Sequence, residues 1–398
     1  VVSFLACHAV ALAKAGLWLK ILGVSSDFFE EDIMASDVYY QLREQLDQYS
    51  VGFPTTESGV EIEILEKLFN EEEAQMYLDL SMMLETPESV AERLKKDPEK
   101  VARLLEQMAE KGLLFRLRKE GSSRYGAAPY VVGIYEYQLK TMDQELAKLC
   151  EQYFEETFAH DTSVKTVPMR TIPVNKSLNV SWPVAPYEDV REIIRSKEKI
   201  AVANCICRVQ QGRLDHDCDK PLEACFMFGS HAEYYVEKGM GRWISQEESL
   251  EILDRCEEGG LVPQPFNAQN PGGMCNCCGD CCGVLRSLKK HPRPAERVVS
   301  NYYAEVNADL CASCETCLER CQMEAITMGP DDVAVVDLDR CIGCGLCVTT
   351  CSTKAMSLQP KAKEERRDPP ASAQDFMTQL AQERGKTLIP LAFTKDAS

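Results

Sequence analysis

Positive charge, histidine and long apolar runs are all in short supply in this chain of 398 residues. Lys and Arg number 44 against 63 Asp and Glu, a formal net charge of −19. A general nucleic-acid binder needs basic residues to neutralise phosphates, so that class is disfavoured. There are five histidines, His8, His160, His216, His231 and His291. Only His216 is close in sequence to clustered cysteines, and between Asp215 and Asp217 it reads as a solvated loop residue before a ligand. No Walker loop, no Gly-x-Gly-x-x-Gly and no Ser–His–Asp signature is present, which removes the usual sequence grounds for nucleotide binding or acyl transfer. The most apolar stretch, Val1 to Val24, is interrupted by Lys14 and Lys20, short of the ~20 apolar residues that span a bilayer. It also lacks a basic leading segment, a clear cleavage site and a twin arginine. Residues 1–33 are therefore expected to be an extension of little functional content, and no membrane span is expected.

Cysteine, by contrast, is abundant: there are 20. They fall in ligand-like clusters rather than in the pattern of a small secreted disulfide scaffold. Such thiolates must stay reduced, so a reducing, anaerobic cytoplasm is the expected setting. Eight of them form two copies of one pattern, Cys311-x₂-Cys314-x₂-Cys317-x₃-Cys321 and Cys341-x₂-Cys344-x₂-Cys347-x₃-Cys351, offset by 30 residues. Each copy has the spacing of a [4Fe–4S] site. Three thiolates on a tight loop can wrap three corners of a cubane, and the fourth must come from elsewhere. Zinc sites more commonly pair two two-cysteine knuckles, which this three-plus-one run does not resemble.

Residues 303–358 resemble a bacterial-type two-cluster ferredoxin domain. The resemblance implies that the fourth cysteine of each run serves the other cluster. Cys311, Cys314, Cys317 and Cys351 would hold one cluster, and Cys341, Cys344, Cys347 and Cys321 the other. Ile342, Gly343, Gly345 and Leu346 leave room for backbone N–H groups to face cluster sulfurs. The family usually carries proline after each fourth cysteine; here Gln322 and Ser352 stand there, which bears on the turn and not on ligation. Nine acidic and three basic residues within 303–358 leave that segment at −6, favouring a low potential and a partner with a basic patch.

Two further regions precede this domain. Residues 34–160 show helical spacing at Ile64, Leu65, Leu68 and Phe69, then Thr86-Pro87 and Asp97-Pro98 as helix starts. Val101, Leu104, Leu105 and Met108 form one face, Gly112 a C-terminal stop, and residues 113–125 a hairpin turning at Gly121-Ser122-Ser123. This order resembles a winged helix domain. Its candidate recognition helix, 98–111, carries Lys100, Arg103 and Lys111 against Glu99, Glu106 and Glu110, a net charge of zero, so a scaffold or docking role is expected despite Arg116, Arg118, Lys119 and Arg124 on the wing. A linking helix is expected over 134–160, with Cys150 in its core.

Residues 164–300 hold nine more clustered cysteines: Cys205, Cys207, Cys218 and Cys225 in a first group, then Cys275, Cys277, Cys278, Cys281 and Cys282 in a second. Cys256 lies apart on a helix expected between 246 and 258. So many thiols are an oxidation hazard unless metallated. One or two additional iron–sulfur clusters are expected, with each group able to hold one; a shared cluster, a structural zinc or a redox dithiol pair remain alternatives. The Cys-Ile-Cys-Arg and Cys-Asn-Cys-Cys runs resemble a group of iron–sulfur proteins of anaerobic bacteria that carry such a region directly before a two-cluster ferredoxin domain, over about residues 34–390. Residues 359–370 read as an exposed linker, followed by a helix over 373–383, within a C-terminal segment 359–398.

The expected fold class is α+β and multidomain, with a winged-helix-like N-terminal domain, a central cysteine-rich α/β region and a C-terminal ferredoxin-like domain. The expected function is single-electron transfer, as a relay subunit or partner of an anaerobic oxidoreductase. A ferredoxin, a flavoprotein or an oxidoreductase subunit would be the redox partner. The alternatives are a redox-sensing winged-helix regulator and an iron–sulfur reductase with a substrate-binding central cluster.

Overall fold

The computed structural model describes residues 38–119, 121–157, 167–178 and 184–390. The expected extension at 1–33, Cys7, His8 and His160 lie outside the described residues. The chain is α+β. Its N-terminal part begins with helix α1 over 38–46, followed by α2 (Val60–Leu68), α3 (Glu71–Leu78), α4 (Pro87–Leu94) and α5 (Pro98–Glu110). Local chemistry explains these starts. The Asn70 side chain and Glu73 form a reciprocal capping box on α3, and the Thr86 and Asp97 side chains accept N–H bonds at the heads of α4 and α5, each with proline in the first turn. After α5, Gly112 adopts φ +78°, where a Cβ would press on Tyr137, and the chain turns into hairpin β1 (Leu114–Lys119) and β2 (Ser122–Ala127).

The linking helix expected over 134–160 is broken. A single turn at Tyr135–Tyr137 is followed by α6 (Gln144–Thr157), because the Asp143 carboxylate accepts the Leu146 N–H at 2.7 Å and starts a new helix.

The central region contains α7 (Val190–Arg195), β3 (Ile200–Asn204), α8 (Ile206–Arg213), β4 (Glu223–Phe228), α9 (Ser230–Glu237), β5 (Gly241–Ile244), α10 (Gln246–Glu258), β6 (Val262–Pro265), β7 (Gly273–Cys277) and α11 (Gly283–Lys290). The strands form one sheet in the order β5-β3-β4-β7-β6, and every pairing is antiparallel. The region is thus α+β, not the parallel layering that an α/β label implies. Both faces of this sheet are buried. Ile200, Val202, Ala224, Phe226, Phe228 and Met274 pack on one side with Ile252, Leu253 and Cys256 of α10. Ala201, Ala203, Cys205, Cys225 and Met227 pack on the other with the N-terminal helices. The alternation is the two-residue period of a pleated strand.

Ion pairs and hydrogen bonds seal the joint between the two regions. Tyr234 Oη donates to the carbonyls of Ala109 (3.2 Å) and Leu114 (2.9 Å). Arg286 forks onto the Glu151 carboxylate, and Lys290 pairs with Glu155. Arg116, only 2% exposed, is held by Glu106, Glu110 and Glu237.

The C-terminal part repeats one small unit. Strand β8 (Tyr302–Val306) pairs with β11 (Met356–Pro360), and β9 (Ile326–Met328) with β10 (Ala334–Val336), with the short helices α12 (Thr316–Arg320) and α13 (Leu346–Thr350) between them. The exposed linker expected from 359 begins after β11 ends at Pro360. Helix α14 (Ala373–Glu383) follows, and Arg384 after it donates to the Asp47 carbonyl at 2.8 Å, returning the chain to α1.

Candidate metal centres

The eight ferredoxin-type cysteines sort into an inner and an outer set. A cavity of about 20 Å³ is lined by Cys321, Cys341, Cys344 and Cys347 together with Ile342, Gly343, Gly345 and Leu346. Backbone N–H groups point at its sulfurs: Ala304 N donates to Cys341 Sγ at 3.4 Å and Ala325 N to Cys321 Sγ at 3.3 Å. Gly343 and Gly345 have φ +68° and +75°, and a Cβ on either would overlap Tyr302 or Ser177. The loop therefore lies flat against its surroundings and leaves the thiols turned into the cavity. Burial pushes the Cys344 thiol up to about 12 and Cys347 up as well. Such thiols are neutral when free, so iron would have to displace their protons.

The outer set is Cys311, Cys314, Cys317 and Cys351. Cys314 is exposed and Cys311 and Cys351 are half-buried. Met356 N donates to Cys351 Sγ at 3.4 Å, and Thr316 Oγ1 to Cys314 Sγ at 3.6 Å, pulling the Cys314 thiol down. Donors aimed at sulfur and four convergent thiols per set fit the ligand chemistry of a cubane.

The nine central cysteines divide differently from the four-plus-five grouping of the sequence. Six of them, Cys205, Cys207, Cys282, Cys277, Cys275 and Cys225, form a closed ring of neighbours in which each thiol is near enough to the next to shift its ionisation. They border a cavity of about 60 Å³. The other three, Cys218, Cys278 and Cys281, gather with Asp280 on the opposite side of the sheet, in the apolar cluster behind α10. Strand pleating produces the split. Cys225 on β4 and Cys275 and Cys277 on β7 all line the cavity, Cys225 and Cys275 packing with the N-terminal helices, while Cys278, one residue on, turns to the other side. Cys205 and Cys207 enter at the head of α8, and Cys282 at the head of α11.

The cavity wall opposite the ring comes from the N-terminal part: Val131, Val132, Tyr135, Glu136, Leu139 and Phe154. Tyr135 Oη donates to Gln210 Oε1 at 2.6 Å and lies 3.9 Å from Cys207 Sγ. Glu136 accepts the Gly133 N–H at 2.6 Å. Burial, with Cys275 and Cys205 nearby, pushes its carboxyl up to about 8, so it is protonated at neutral pH. Between the two thiol groups sits Arg208, 5% exposed. Its Nη2 donates to the Asn276 carbonyl at 3.1 Å, while Nε and Nη1 have no partner. Burial opposes its charge, and the thiols of Cys205, Cys278, Cys225 and Cys277 more than offset that, holding its pKa above the usual arginine value.

Asp280, Glu136 and Arg208 escaped the sequence reading. Asp280 had a signal, a carboxylate inside a Cys-x-x-Cys knuckle, and Arg208 directly follows Cys207. Glu136 had none. His216 stays outside the ligand group. Cys150 is a core residue, 3.3 Å from Tyr130 Oη, and Cys256 is buried on α10.

The inner ferredoxin set and the six-thiol ring share one apolar cluster, in which Cys277 and Cys282 pack with Met323, Ala325, Ile342 and Leu346, and Cys321, Cys341 and Cys344 border it. The Gly279 N–H donates to Gln322 Oε1 at 2.7 Å, beside Cys321. No helix among the described residues is long and apolar enough to cross a membrane. No curated protein and no solved structure matches the chain. A family model for a 4Fe-4S dicluster domain matches residues 310–355, so this segment is of the ferredoxin type.

Proposed function

We propose that this iron–sulfur protein is an electron relay with three redox stations arranged from surface to interior. Cys311, Cys314, Cys317 and Cys351 would hold the outer cluster, Cys321, Cys341, Cys344 and Cys347 the inner one, and the six-thiol ring a third. When bound, the clusters supply one-electron chemistry. The observation that carries the reading is the shared apolar cluster joining Cys277 and Cys282 of the ring to Cys321, Cys341 and Cys344 of the inner set. It excludes water between the two and leaves the outer set, with Cys314 exposed, as the entry for a partner.

The surface around that entry supports a basic redox partner, such as a ferredoxin, a flavoprotein or an oxidoreductase subunit. Asp309, Glu315, Glu319, Asp331 and Asp332 are exposed there. Arg320 and Arg340 turn inward, Arg320 to the Glu257 and Glu258 carbonyls and Arg340 to Met323 and Lys289, so they do little to neutralise the face.

The winged-helix-like N-terminal part serves as scaffold in this reading. It walls the ring cavity, and its hairpin is docked on α9 through Arg116 and Tyr234. The polar residues that α5 leaves exposed, Glu99, Lys100, Arg103, Gln107 and Glu110, balance in charge, which is poor footing for a duplex.

The test is iron and acid-labile sulfide per chain on protein purified without oxygen, with EPR during stepwise reduction. About 12 irons or more, at roughly four per cubane, are expected. About eight would restrict metallation to the ferredoxin segment and sink the third station.

A further inference from the structure

We propose that Cys218, Cys278, Cys281 and Asp280 form a separate mononuclear zinc site on the face of the central sheet opposite the six-thiol ring. Among the described residues, these four each place one ligand atom within 4.8 Å of all the others. Zinc–thiolate bonds are about 2.3 Å, so two thiolates on one tetrahedral ion stand roughly 3.8 Å apart. The group is compact enough to close on a single ion. Thiolates on different irons of a cubane diverge along the cube diagonals and stand farther apart. The ferredoxin segment provides the internal comparison: neither of its thiol sets places three ligand atoms within that limit, and neither does the ring.

The local chain conformation suits the site. Cys278-Gly279-Asp280-Cys281 is a knuckle immediately after β7, with both thiols 1% exposed and the Cys281 N–H donated to Asp280 Oδ1 at 3.1 Å. Cys218 arrives from the loop between α8 and β4, with Sγ 3.8 Å from Asp280 Oδ2. Three thiolates and a carboxylate on a dication leave a net charge of −2, which is costly beside an apolar core. Arg208 answers that charge: it is a buried cation with two unpartnered N–H donors, and Cys278 is among the thiols acting on it. Its charge is shared with the ring, since Cys205, Cys225 and Cys277 act on it as well, so one buried cation serves both centres.

The site has a structural consequence. Cys277 and Cys282 of the ring directly flank the knuckle in sequence. An ion held by Cys278 and Cys281 would anchor them from behind, and through Cys218 would tie the α8–β4 loop to the same point. Zinc has no redox chemistry of its own, so it would position the ring without competing for electrons.

The experiment uses the full chain, expressed with zinc and iron supplied, purified without oxygen and analysed for both metals. About one zinc per chain is expected, as a single S₃O site requires. Cys218→Ser and Cys281→Ser should each lose the zinc and keep the iron, while Cys282→Ser should lose iron and keep the zinc. Should these variants fail to fold, cobalt(II) exchange into the unaltered protein decides the matter: intense visible bands of a tetrahedral cobalt thiolate support the site. Iron lost from Cys218→Ser, wild-type protein that takes up neither zinc nor cobalt, or a Cys278–Cys281 disulfide in the anaerobic protein would overturn it. The two readings fail separately. About 12 irons without zinc removes only this site, and about eight irons with one zinc removes only the third cluster.

Discussion

Two buried ionisable groups show what single side chains contribute here. Glu136 is held protonated by burial, with a folded pKa of about 8 against an ordinary value of 4.5. The folded protein therefore binds more protons than the unfolded chain between those values. The stability that this group adds is complete below about pH 4.5 and is lost as pH rises through about 8. Anaerobic unfolding at constant metal content should show that decline, and Glu136→Gln, which mimics the neutral acid, should flatten it; an unchanged slope would mean that another group titrates. Arg116 is the opposite case, a buried cation shared by Glu106, Glu110 and Glu237. Arg116→Ala should destabilise the protein by about 3 kcal/mol, at the lower end for a broken buried pair because all three carboxylates retain contact with water. Denaturant midpoints would measure it.

Among the structural elements, the inner loop is the most sharply constrained. Gly343 combines φ +68° with a backbone carbonyl, that of Tyr302, where a Cβ would be. Gly343→Ala should push Cys341 and Cys344 out of register and remove the inner set's EPR signal, with a loss of about four irons, while the outer signal persists. Survival of both signals would refute the four-thiol inner set. The hairpin offers a gentler perturbation. Tyr234→Phe removes the hydroxyl shared by Ala109 and Leu114 and should cost about 1–2 kcal/mol, read from the same midpoints.

For the molecule in full, the acidic face around Cys314 predicts a kinetic signature. Reduction by a basic partner should slow as ionic strength rises past about 0.15 M, where the screening length falls to roughly 8 Å. A rate indifferent to salt would place the contact elsewhere. The same scale explains why the N-terminal part is tied so firmly to the centre. It supplies a cavity wall, and the joint carries Arg286 on Glu151, Lys290 on Glu155 and Arg116 on Glu237.

Much of this architecture was legible because its causes are local. Thr86-Pro87 and Asp97-Pro98 start helices by capping chemistry within four residues. The ferredoxin repeat is written in eight cysteines whose spacing a tight loop enforces, and the α10 and α14 helices span the expected 246–258 and 373–383. The break at Asp143 was missed because the apolar residues Tyr135, Leu139, Met142, Leu146 and Leu149 keep near-helical spacing across it and hide the cap. The grouping of the central cysteines was not legible at all. Neighbours in sequence, Cys277 and Cys278 or Cys281 and Cys282, belong to different sites, and residues 70 apart, Cys205 and Cys275, belong to the same one. That partition depends on which strands pair and which way each pleat turns, and both are set by packing across the β3, β4 and β7 sheet. Composition and spacing alone establish a cysteine-rich chain with two cubane-type motifs. The antiparallel sheet, buried on both faces, divides the remaining thiols into a ring and a compact group around Asp280, since a strand alternates its side chains and only long-range pairing decides what lies opposite them.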